Sequence, residues 1–143
     1  MEKEDINALD EIHKGSYMGM DAIDFVLDKV EDSKLSGVLK NQYKHYKEVA
    51  DKIEDIYSKY DEGEPHKTNA MNKAMTWFGI ERETLMDNSD SKIAELLLNG
   101  VNMGIIEGKK ILNNKKLNKE VSKIIEEYVS MQEESVEVLK TYL

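Results

Sequence analysis

Apolar residues recur along this chain at alternating steps of three and four. Over residues 5–32 the series is Ile6, Leu9, His13, Ser16, Met20, Ile23, Leu27 and Val30, and Ile12, Gly19 and Val26 widen it on one flank. This is the heptad-like seam of a bundle helix. Glu31, Asp32 and Ser33 interrupt it, and Asp32 or Ser33 is suited to cap the next helix. A second helix is predicted over 34–60, with Leu35, Leu39, Gln42, Tyr46, Val49, Ile53, Ile56 and Tyr60 on its seam and Val38, His45 and Lys52 beside it. The connection is short, so the two helices should form an antiparallel hairpin.

The stretch 61–67, with Gly63 and Pro65, breaks the pattern. Thr68 can cap a shorter helix to about Met86, whose apolar residues include Met71, Met75, Trp77 and Phe78. Trp77 and Phe78 are its expected docking face. After the capping cluster Asp87 to Asp90, a helix is predicted over 91–112, its apolar face carried by Ile93, Leu97, Val101, Ile105, Ile111 and Leu112. Gly100, Gly104 and Gly108 share one stripe of it, and each glycine costs up to ~1 kcal/mol in a helix. Three in register imply a close neighbour. A last helix over 119–142 uses Val121, Ile125, Tyr128, Gln132, Ser135, Leu139 and Tyr142. The expected fold is all-α: one domain, 1–143, a four-helix bundle with an additional short crossover helix between the second and third long helices. Two hairpins joined by a long crossover are the ferritin-like arrangement.

Composition narrows the chemistry. The chain has no cysteine, which removes disulfides, thiolate metal sites and cysteine nucleophiles. Its 20 basic and 29 acidic residues give a net charge of −9, and Arg82 is the sole arginine. An acidic protein with so little arginine lacks the face that nucleic acid requires. Lys109 to Lys119 holds five lysines and no acid. It reads as a solvated turn, with an anionic partner as the sharper alternative. No apolar run reaches the ~20 residues of a membrane span, and the polar N-terminal stretch resembles no secretion signal, so a cytoplasmic location is expected. Asp21, Asp24 and Asp28 follow an outer helical face. The methionines, including Met18, Met20, Met71, Met75 and Met103, read as core filler.

The seams become polar or small midway along each long helix. Ser16, Gln42, Gln132 and Ser135 should form a central polar layer near Gly100 and Gly104. Burial of such groups demands hydrogen bonds or water. A dimetal bundle places a glutamate on each of two helices and Glu-x-x-His on the other two. Here Gln42 and His45 keep the latter spacing with an amide for the carboxylate, and Gln132 and Ser135 keep it with both ligand types absent. His13, His45 and Glu107 remain as candidate metal ligands, and could hold zinc if they converged. His66 lies in the crossover.

Asn7–Asp21, NALDEIHKGSYMGMD, resembles the first helix of a ferritin-like four-helix-bundle family, domain of unknown function 2383. Asn99–Gly108, NGVNMGIIEG, resembles its third helix, and Trp77 and Gln132–Leu139 fit it too. The resemblance implies a ferritin-like fold. By the same comparison Ser16 and Val101 replace the family's glutamates, and Ser135 stands where a histidine is common.

The residues favour a non-metal binding or structural module, with no catalytic residue and no cofactor, over an enzyme. Its partner would be another protein or a small ligand, and a homo-oligomer is open to it. The alternative is a metal-binding protein or oxidase, using iron, manganese or zinc at an atypical site near His13, His45 and Glu107.

Overall fold

A computed structural model of the chain describes residues 1–60, 62, 63, 65 and 87–143. The crossover helix expected over 68–86, with His66, Met71, Met75, Trp77 and Phe78, lies outside the described residues. Among the described residues there are four long helices: α1 (Lys3–Leu27), α2 (Ser33–Lys59), α3 (Asp90–Asn114) and α4 (Lys119–Lys140). None is long and apolar enough to cross a membrane.

Three helices start on side chains that accept from otherwise unpaired first-turn N–H groups. Asp32 accepts from the amides of Lys34 and Leu35 at the head of α2. Ser89 accepts from Lys92 at α3, and Asn118 from Val121 at α4. Helix α1 ends at Leu27, earlier than its seam suggests, although no proline or glycine stops it. The ladder tightens locally first: the amides of Lys29 and Val30 bond three residues back, to Val26 and Leu27, and the Lys29 ammonium takes the Phe25 carbonyl. Beyond that point both oxygens of Asp90, the first residue of α3, accept from the backbone N–H groups of Glu31 and Asp32 at 2.9 and 2.8 Å. They tie the α1–α2 turn to the head of α3. At the other end of the bundle Asp5 is buried and accepts from the amide of Asn118 at 2.9 Å, tying α1 to the α3–α4 turn.

Cross-helix pairs give the directions. Gly19 lies against Tyr46, His13 against Glu54 and Ile6 against Tyr57, so α1 and α2 are antiparallel. Gly104 lies against Gln132 and Gly108 against Val129, so α3 and α4 are antiparallel too. Lys59 reaches Glu120, whereas Asp90 sits at the α1–α2 turn. Helix α2 therefore ends at one end of the bundle and α3 begins at the other, so the two run in the same direction. Residues 61–89 join opposite ends, which is the ferritin-like order of two hairpins and a crossover. Gly63, at φ +79°, sits just beyond α2 in the left-handed region that favours glycine.

The core is continuous through all four helices and includes Leu9, Ile23, Leu35, Leu39, Ile53, Ile93, Ile125 and Leu139. Two seam assignments need correction. Tyr60, expected inside, is exposed beyond the end of α2, and Met103, expected as core filler, is exposed on α3.

Candidate functional site: a tyrosine and glutamine layer at the bundle centre

Labour at the centre is divided between the helices. Helices α1 and α3 contribute glycines, and α2 and α4 contribute the large side chains that those glycines admit. A Cβ on Gly19 would lie 2.6 Å from the ring of Tyr46, and one on Gly15 would lie 2.5 Å from the hydroxyl of Tyr128. One on Gly104 would lie 2.5 Å from Oε1 of Gln132. Each approach is closer than real Cβ contacts allow, so a methyl group there would displace the neighbour.

Across this layer Tyr46 donates its hydroxyl hydrogen to Oε1 of Gln132 at 3.1 Å. The Tyr46 and Tyr128 rings are tilted at 56° with centroids 6.3 Å apart, within the range of favourable aromatic pairs. Burial pushes both phenols well above the usual tyrosine range, and for Tyr128 the neighbouring Tyr46 and Glu107 add to the rise. Both tyrosines are therefore neutral at physiological pH. Nε2 of Gln132 is buried without a well-formed hydrogen bond among the described residues, although its amide is close enough to Tyr128 to act against that phenol's rise.

Ser16, Gln42, Gln132 and Ser135 are all buried. The two serines do not extend a network between helices. Each hydroxyl donates to the carbonyl four residues back in its own helix, Ser16 to Ile12 at 2.9 Å and Ser135 to Met131 at 3.0 Å. Gly100, Gly104 and Val101 are buried on the facing stripe of α3.

The candidate ligands His13, His45 and Glu107 are not brought together. His13 is fully buried on α1, and its Nε2 donates to Oε1 of Glu54 at 3.0 Å. Tyr17 donates to the same oxygen at 3.3 Å, with its ring 4.8 Å from the imidazole. Nδ1 of His13 has no partner among the described residues. His45 lines a groove between α2 and α4, beside Glu48 and Glu134. Glu107 faces α1, where burial first, and then a hydrogen bond and repulsion from Glu11, raise its carboxyl to about 7, with Lys14 opposing. Among the described residues no group of three or more His, Asp or Glu side chains is placed to hold a metal ion.

Sequence reasoning missed Tyr46, Tyr128 and Glu54 as members of this site. A signal was available for the tyrosines. Gln42 and Tyr46 stand four apart on α2, and Tyr128 and Gln132 stand four apart on α4, so each pair shares a helix face. Nothing in the spacing marks Glu54, which meets His13 from 41 positions away.

The bundle is similar to a solved structure from Bacteroides fragilis, a bacterioferritin-related protein described as a dodecameric thioferritin. The TM-score is 0.76 at 14% sequence identity, covering 98% of this chain and 84% of that chain. The likeness shows a ferritin-like fold. No family model matches the chain, and no curated protein does.

A fold of this kind commonly holds two metal ions at its centre, on carboxylates and histidines from all four helices. Apart from the Glu107 carboxyl beside Tyr128, the described residues of that layer are phenols, amides, hydroxyls and glycines, a set poor in the charge such a centre needs. Two hard cations require anionic oxygens to balance and bridge them, which neutral donors do not replace.

Proposed function

We propose that this chain is a ferritin-fold protein in which a packed tyrosine and glutamine layer takes the place of a dimetal centre, and that it serves as a self-associating binding or structural module. The hydrogen bond from Tyr46 to Gln132 carries the reading. It locks two helices through neutral groups at the depth where a metal-handling bundle would present carboxylates. The space facing Gly15, Gly19 and Gly104 is filled by these side chains, which supports reading this layer as packed. Self-association draws support from the ferritin-like neighbour, which is a dodecamer. The test is incubation with ferrous iron in air, desalting and elemental analysis. The expected result is no stoichiometric retention and no catalysed oxidation. Retention of about two irons per chain, the loading of a dimetal bundle, lost on Glu107→Ala, would overturn the reading.

One observation favours metal handling as a second reading. A ligating histidine usually donates its other ring N–H to a carboxylate. His13 does so to Glu54, and its Nδ1 is buried with a free lone pair. Zinc binding measured by calorimetry, lost in His13→Ala with the fold retained, would support this reading over the first.

A further inference from the structure

The surface carries an apolar ridge and a groove on different faces. On α3, Met103 and Ile106 are exposed by 39% and 55%, and Lys110 continues their stripe one turn further on. The helix buries its other side, Ile93, Leu97, Val101 and Gly104, within the bundle. The ridge therefore points away from its own core. Between α2 and α4 run two hollows of about 450 and 220 Å³ that share Glu127 on their walls. Val49 and Met131 lie at the floor of the smaller one and Ile56 and Ile124 at that of the larger, all four core side chains exposed by no more than 9%.

Charge distinguishes the two ends of this groove. In the larger hollow the rim is internally paired, with Lys52 on Glu127 at 2.7 Å and Lys59 on Glu120 at 3.4 Å. In the smaller one, Glu48 and Glu134 flank the apolar floor and make no ion pair among the described residues. Lys110, at the end of the ridge, makes none among them either. An apolar pair followed by an unpaired cation thus matches an apolar floor flanked by unpaired carboxylates. Ridges set into grooves are how helices pack.

We propose that the α3 ridge of one copy seats in the α2–α4 groove of a second copy, with Met103 and Ile106 on Val49 and Met131 and with Lys110 between Glu48 and Glu134. This rests on the self-association proposed above and names its interface. The contact is heterologous, because each copy uses a different surface at either end of it. Repeated, it assembles a ring where its rotation closes and a filament where it does not.

The test is sedimentation of the full chain, of Ile106→Glu on the ridge, and of the double variant Glu48→Lys, Glu134→Lys on the groove. All three positions face solvent or rim, and circular dichroism verifies that the helices are kept. Wild-type protein should sediment as a multiple of 16.5 kDa. Each variant alone should associate at least about tenfold more weakly, as for a central contact in an interface. An equal mixture of the two variants should form pairs and go no further, since one keeps its groove and the other its ridge. If wild type associates and both variants retain its mass, this interface is wrong while self-association stands. If both variants lose mass but their mixture forms no pair, heterologous docking is wrong. Wild type that remains a single chain at the highest concentration reached would end both readings.

Discussion

Tyr46 on α2 and Gln132 on α4 meet at 3.1 Å, hydroxyl to amide oxygen, fully inside the bundle and 86 positions apart in the chain. The bond links the two hairpins through uncharged side chains. Its surroundings are glycine on one side and aromatic ring on the other, so its geometry is set by packing as much as by the bond.

Removing either partner strands the other. Tyr46→Phe should destabilise the protein by about 1–3 kcal/mol, because Oε1 of Gln132 loses its donor without gaining water. Gln132→Leu should cost a similar amount. The double variant should cost less than the sum, and urea titrations arranged as a double-mutant cycle measure that difference.

The glycines provide a matched contrast. Gly19→Ala sets a methyl group 2.6 Å from the Tyr46 ring, which has no flexible end to move, and should destabilise by about 1–3 kcal/mol. Gly37→Ala, in the exposed interior of α2 with nothing within 4 Å, should stabilise by about 0.5–1 kcal/mol through helix propensity alone. Thermal or urea unfolding of the two variants should move in opposite directions.

Glu54 is expected to matter through His13. Glu54→Ala leaves the Nε2–H of a fully buried imidazole without an acceptor and should cost about 1–3 kcal/mol. Glu54→Gln keeps an acceptor oxygen and should cost clearly less. Equal losses in urea titration would show that the side chain acts by packing and not by its bond.

Glu107 makes stability depend on pH. Its carboxyl rises from 4.5 to about 7 in the fold, so the folded state holds the proton more tightly than the unfolded chain does. The stabilisation is complete below pH 4.5, is lost as pH rises toward 7 and changes no further above it. Glu107→Gln, which is always neutral, should be more stable than wild type by about 1–2 kcal/mol near pH 8, after allowance for the group's partial exposure. Near pH 4.5 the two should be nearly equal. Urea titrations of both proteins across this range read the difference.

Local periodicity was enough to determine the four long helices, because their apolar stripes and their caps at Asp32, Ser89 and Asn118 act within a few residues. It also placed Ser16, Gln42, Gln132 and Ser135 on inward-facing seams. Their partners were decided elsewhere. Spacing within one helix says nothing about rotation against a neighbour. The pairing of Gly19 with Tyr46, of Gly104 with Gln132 and of His13 with Glu54 therefore emerged only when the helices were docked. The tie between the α1–α2 turn and α3 has the same origin, since the Asp90 carboxylate that accepts from the Glu31 and Asp32 amides belongs to a helix nearly 60 residues later. The separation of His13, His45 and Glu107 is likewise a matter of helix rotation. The three lie on three different helices, and only the docked bundle turns one toward Glu54, one into the α2–α4 groove and one toward Glu11.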